Sequence, residues 1–341
     1  MIKRWLCTLL SAVMTLSFFP ACGKADKEIK IGVSFGVGGA QRWIYEKQYM
    51  EEKAAELGVQ IEVRLNNGDT ANTQEQDCRE LIGSGIDVLI LTPRDADTID
   101  PILSYAKEKN VPIVSYSRIV PGKPVDLLVG YDSTRIGQKL GQYLSEMVDK
   151  GSYIILRGPE SDNNAVQLYD GAMRYLEPIQ DQIDILLDAP VPMWSPDEAK
   201  KMVTQALKAN GNKVDAILAP NDRIAGACAQ ALEELGITQH VAITGMGAEL
   251  SALRRIAAGT QDVTFYLDFQ KLAHTAVEEA VHIVKREKVN VNAPYDNQDA
   301  ITLDACLFTG QLITKNNIGS ILIDSGYCTY DEIYGTGAQG V

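Results

Sequence analysis

Residues 29–35 read Ile-Lys-Ile-Gly-Val-Ser-Phe, and residues 36–43 continue Gly-Val-Gly-Gly-Ala-Gln-Arg-Trp into a longer amphipathic stretch over 42–57. A short run of branched apolar residues, a glycine turn and an amphipathic helix make one βα unit. The unit repeats outward along the chain. Apolar runs at 60–65, 87–92 and 112–117 alternate with helical periodicity at 73–82 and 97–108, and a second series of runs follows Gly130 at 153–156, 184–187, 215–219, 241–244 and 263–266. This rhythm builds parallel, doubly wound sheets, so the fold class is α/β. Thr73 with Gln76 has capping-box spacing, and Gly58 is placed to stop the preceding helix. Two such series in 341 residues predict two lobes. No Pro-, Gly- or Ser-rich linker divides them, so the crossings are expected to be short hinge segments.

The balance of charge narrows the partners. With 45 acidic against 32 basic residues the chain carries a formal charge of −13, which gives phosphate backbones and anionic lipid no attraction; nucleic acid is not expected as a partner. Lys3 and Arg4 open the chain, residues 5–19 carry no charge, and Ala21-Cys22 follows Pro20. That is the layout of a signal peptide, and the uncharged run is shorter than the ~20 residues a spanning helix needs. Cys22 after a small residue fits a bacterial lipidation site, with 23–28 as a polar tether, although Phe19 and Pro20 leave simple secretion open. Cys78, Cys228, Cys306 and Cys328 show no zinc spacing; Cys306 and Cys328 could bridge, or all four could be buried thiols.

In open parallel sheets, ligands sit beyond the carboxyl ends of the strands. The residues there are Gly36 to Gly39 followed by Arg42 and Trp43; Tyr116, Ser117 and Arg118; Asp162, Asn163 and Asn164; Trp194; Asn221 and Asp222; and Gly245 to Gly247. Guanidinium forks, planar amides and indole faces suit sugars, whose hydroxyl pairs and apolar C–H faces they match. Each has a plainer reading. Arg118 fits a surface ion pair as well as a ligand contact, Asn163 or Asn164 could cap a helix, and Trp194 could simply pack. A dinucleotide site fails on Gln41, which stands where the third glycine would be, and on Asn66, which ends the second strand without an acidic side chain. Catalysis finds no support: no nucleophile elbow is present, and His274 and His282 read as a solvated helix face. No cofactor or metal is expected.

Lys30-Ile-Gly32, Gln41-Arg-Trp43, Asn66-Asn-Gly68, Gly85-Ile-Asp-Val88, Asp162-Asn-Asn-Ala165, Ala219-Pro-Asn-Asp222 and the run from Arg255 to Gln261 together resemble the bacterial D-xylose-binding proteins. The resemblance runs from Lys30 to Ile318. It implies a type I periplasmic-binding fold, two Rossmann-like lobes with parallel sheets joined by a three-segment hinge. The implied division is 1–21 as signal peptide, 22–28 as lipidated tether, 29–132 with 267–299 as the N-terminal lobe, and 133–266 with 300–341 as the C-terminal lobe. It also implies a monosaccharide ligand, delivery to an ABC permease or sensing through a membrane histidine kinase, and an extracytoplasmic, lipid-anchored location. Arg42, Arg118, Asn164 and Asn221 match the family's polar sugar ligands and Trp43 and Trp194 its stacking rings, with Asp222 as a further ligand candidate. The chain departs from the family at Ser117 and Gly247, where the family has aspartates, at Leu267, where it has a lysine, and at Gly36-Val37, where it has paired aspartates. Asp222, Asp268 and Glu249 stand beside the altered positions as compensating groups.

Overall fold

A computed structural model describes residues 28–36, 41–66, 71–94, 99–118 and 121–335. The expected signal peptide, Cys22 and its tether, the glycines at 38 and 39, and the Asn67-Gly68 part of one family motif lie outside the described residues.

Five strands open the chain: β1 (Lys30–Phe35), β2 (Gln60–Leu65), β3 (Val88–Thr92), β4 (Ile113–Tyr116) and β5 (Leu127–Tyr131). Between them run α1 (Gln41–Leu57), α2 (Ala71–Gly83) and α3 (Asp100–Lys109). The strands pair in parallel in the order β5-β4-β3-β1-β2. Every residue of β3 and β5 is buried, as a strand covered on both faces requires, whereas the edge strand β2 alternates exposed and half-buried positions before its last residues.

The chain then crosses. α4 (Ser133–Met147) leads into β6 (Gly151–Arg157), α5 (Asn163–Leu176), β7 (Ile183–Pro190), α6 (Pro196–Ala209), β8 (Ala216–Leu218), α7 (Asp222–Glu234), β9 (Ala242–Ile243) and α8 (Leu250–Ala258). These strands form a second parallel sheet in the order β7-β6-β8-β9. β10 (Val263–Tyr266) precedes α9 (Phe269–Lys285), which returns to pack on α1 and β3. β11 (Ala293–Asp296) and β12 (Thr302–Phe308) follow, then β13 (Gln311–Thr314), which pairs antiparallel with β10, and α10 (Tyr330–Tyr334).

β12 corrects one expected boundary. Its residues lie in the 300–341 segment assigned above to the C-terminal lobe, yet β12 pairs in parallel with β5 and carries β11 on its outer edge, extending the first sheet to seven strands. The third crossing therefore falls between Phe308 and Gln311, and joins the crossings at Tyr131 to Ser133 and Tyr266 to Phe269. Among the described residues, Cys78, Cys228, Cys306 and Cys328 are free and buried. Cys306 faces the large core shared by β1, β5 and α9, while Cys328 packs in a separate cluster under α8 and α10.

α4 and α5 touch backbone to backbone because glycines stand at their crossing. A Cβ on Gly137 would come 1.9 Å from the Leu168 carbonyl oxygen, and one on Gly171 would come 2.2 Å from that of Thr134. Neither helix can move aside without disturbing the large core, to which α4 gives Leu140 and Leu144 and α5 gives Leu168 and Ala172. Gly137→Ala or Gly171→Ala should cost at least ~1–3 kcal/mol, read as a melting temperature lower by several degrees. Gly83→Ala, at the end of α2 with nothing within 4 Å of the added carbon, should leave it unchanged or slightly higher.

Candidate functional site

The site forms where the carboxyl ends of β1, β4 and β5 face those of β6, β7 and β8. Arg42 sits in the first turn of α1. Its guanidinium lies 4.3 Å from the centre of the Trp43 ring and 4.1 Å from that of Phe269, the first residue after the second crossing. It donates to Ser117 Oγ at 2.7 Å and pairs with Glu46 one helical turn on. Glu46 is fully buried and also accepts from the Tyr116 hydroxyl. Burial pushes the Glu46 carboxyl above its ordinary value, and Arg42 and Tyr116 pull it back. Trp43 is 5% exposed and packs against Phe35, with ring centres 5.2 Å apart.

Ser117 and Arg118 follow β4 on a tight turn in which Ser117 takes a left-handed φ of 62°. The turn aims Arg118 along the sheet edge, where Nη1 donates to the carbonyls of Pro93 at 3.2 Å and Arg94 at 3.0 Å. Nη2 reaches across to Asp162 Oδ2 at 3.0 Å, between side chains that are 14% and 8% exposed. Asp162 is the N-cap of α5, accepting from the Asn164 backbone N–H through Oδ1 at 3.1 Å, so the cap considered above for Asn163 or Asn164 is the aspartate before them. Asn164 Nδ2 donates to the Ser117 carbonyl at 2.6 Å, a second contact between the lobes. Gln167 makes a third, to the Tyr295 hydroxyl on β11.

Trp194 closes this side. Met193 and Trp194 both take left-handed φ values, 52° and 56°, in a tight turn after β7, a backbone cost that persists only where surrounding contacts hold it. The indole Nε1 donates to Asp162 Oδ2 at 3.3 Å, and the ring lies so close to Gly158 that a Cβ there would sit 2.3 Å from it. Gly36 is likewise a close approach: a Cβ would meet the Arg94 backbone nitrogen at 2.2 Å.

The last two expected ligands behave differently. Asn221 caps α7, its Oδ1 accepting from Ile224 N–H at 2.9 Å. Asp222, expected as a ligand, is fully buried inside the second lobe, and this corrects that assignment. Its carboxylate accepts from Gln261 Nε2 at 3.0 Å, Thr264 Oγ1 at 2.8 Å and the Glu249 backbone N–H at 2.9 Å. Arg255 supports this from behind, donating to Gln261 Oε1 and to the Asp222 carbonyl. Two of the compensating groups are spent, Asp222 as described and Asp268 in capping α9 through Lys271 N–H, and the altered position Leu267 is buried apolar surface. The helix expected to carry solvated histidines instead half-buries both, His282 pairing with buried Glu279 at 2.9 Å.

Glu46 and Phe269 complete the site and were not singled out from sequence, while Asp162 stood among the strand-end residues without being assigned as a ligand. Glu46 carries a readable signal, since it lies four residues after Arg42 on one helix face. Phe269 carries none, because its stacking on Arg42 depends on how α9 returns to α1.

The fold and the cleft define a two-lobed solute-binding protein. Residues 31–288 match the periplasmic binding protein domain family, and the chain belongs to it. It is 32% identical to the D-xylose-binding periplasmic protein of Haemophilus influenzae over 98% of this chain and 99% of that one. It is also 32% identical to that of Escherichia coli over 90% and 93%. A carbohydrate transporter solute-binding protein of Chloroflexus aurantiacus, solved with D-glucose, superposes with a TM-score of 0.81 at 27% identity, covering 89% of this chain and 97% of that one.

All three groups facing the Asp222 carboxylate are donors, so an amide there would turn its own donor toward one of them. Asp222→Asn should therefore destabilise the protein by roughly 1–3 kcal/mol, measured by thermal unfolding.

Proposed function

We propose that the chain is an extracytoplasmic solute-binding protein that captures a neutral monosaccharide, xylose-like or a related pentose or hexose, between its lobes. The closed form is then presented to an ABC permease. The observation that carries this reading is the contact of Arg118 with Asp162 and of Asn164 with Ser117 across the cleft. The groups that the family resemblance assigns to sugar are the groups through which the two lobes meet, so a ligand bound by them acts directly on opening and closing.

In this reading Arg42, Arg118, Asn164 and Asn221 supply hydrogen bonds, Trp43 and Trp194 supply ring faces, and Asp222 positions the loop that carries Asn221. Neutral sugar is favoured over a uronate or sugar phosphate because each guanidinium of the site already has a buried carboxylate, Glu46 for Arg42 and Asp162 for Arg118. Sugar stabilises the closed form only through its higher affinity for that form. The division of the chain belongs to the same proposal, with 29–132 and 267–308 in one lobe and the rest of 133–341 in the other. So do export and lipidation at Cys22.

Residues 26–341 contain every described strand and helix. A thermal-shift screen of that chain against xylose, ribose, arabinose, glucose, galactose, fucose and inositol should find a sugar that raises the melting temperature. At a hundredfold excess over Kd the gain is about 2.7 kcal/mol. Arg118→Ala should shrink the shift by weakening binding, and no shift with any of the seven would contradict the proposal.

A further inference from the structure

Tyr131 is the last residue of β5 and stands at the first crossing. Phe308, its paired neighbour at the end of β12, opens the third crossing, and Phe269 follows the second. The Tyr131 ring meets both, edge-on to Phe269 and tilted to Phe308, with centres 6.2 Å apart in each case. Phe269 is also the ring on which Arg42 lies. Tyr131 and Arg42 therefore share one aromatic neighbour at the hinge end of the cleft.

The ring is only 7% exposed, yet its hydroxyl has no hydrogen-bond partner. A buried polar group left unpaired costs ~1–3 kcal/mol, and phenylalanine would bury the same ring without that cost. The hydroxyl lies within electrostatic reach of Arg42 and Glu46, and burial keeps it protonated by raising its pKa. Across the cleft, Asn164 presents a second orphan: its Nδ2 is used on Ser117, while its buried Oδ1 has no partner. Ser117 accepts from Arg42, so the two orphans flank one continuous network drawn from both lobes. An unpaired polar atom on each side of the cleft offers a polar guest a partner from either lobe.

We propose that Tyr131 is a specificity-determining residue whose phenol hydroxyl exchanges a hydrogen bond with the ring hydroxyl that a bound monosaccharide turns toward the hinge. The inference rests on the monosaccharide reading above and adds to it a contact that none of the quoted motifs contains. Sugars lacking that hydroxyl, or carrying it on the opposite face, leave the phenol unpaired and bind more weakly.

The test compares Tyr131→Phe with the parent full chain. Two quantities are measured, the melting temperature without sugar and, by calorimetry, the Kd for each of the seven sugars screened above. The sugar-free variant should melt at the parent temperature or higher, because an unpaired hydroxyl has been removed. Its affinity for whichever sugar the parent binds should fall about tenfold. One monodeoxy analogue of that sugar should bind parent and variant equally, which identifies the hydroxyl. A lower sugar-free melting temperature would mean that the hydroxyl is paired within the fold, and unchanged affinity would mean that it does not touch the ligand; either overturns the proposal. A parent that binds none of the seven screened sugars overturns it as well, and that result is distinguishable because the fault then lies in the monosaccharide reading itself.

Discussion

The ion pair of Arg118 with Asp162 is the constraint around which the site is arranged. Both side chains are nearly buried, and removing one charge would strand the other at a cost of roughly 3–5 kcal/mol. The pair does more than join two lobes. Asp162 caps α5 and receives the Trp194 indole, while Arg118 is fixed by two carbonyls at the end of β3. One carboxylate thus aligns a helix, a tryptophan and the opposite lobe, and what alters it alters the shape of the cleft.

A similar economy governs charge. The chain is strongly acidic, yet the arginines of its cleft are individually neutralised by buried carboxylates. Guanidinium groups held this way keep their directional donors while losing their pull on free anions, which suits recognition of hydroxyls. Aromatic neighbours reinforce the effect, since Arg42 is held between Trp43 and Phe269.

Much of this was legible in the residues. The βα rhythm defined both parallel sheets because buried strands and amphipathic helices have different periods, and the strand ends pointed to Arg42, Arg118, Asn164 and Trp194. Periodicity says where a strand lies but not which sheet it joins, so β12 was assigned to the wrong lobe. Asp222 was misread for a related reason: a carboxylate after a strand looks the same whether it meets solvent or three protein donors. The run from Arg255 to Gln261, which carried part of the family resemblance, turns out to be what holds that carboxylate in place. Tyr131 left no mark, because an unsatisfied hydroxyl is a property of surroundings and not of sequence.

The most direct test of the central claim is a double-mutant cycle on Arg118 and Asp162, using Arg118→Ala and Asp162→Asn, the latter chosen because asparagine still caps a helix. Affinity for the sugar that binds the parent is read by calorimetry. If the pair unites the cleft, each single change weakens binding, and the double variant loses clearly less than the sum of the two, with a coupling of about 0.5–3 kcal/mol. Losses that simply add would show the two residues acting independently and would contradict a site organised around their contact.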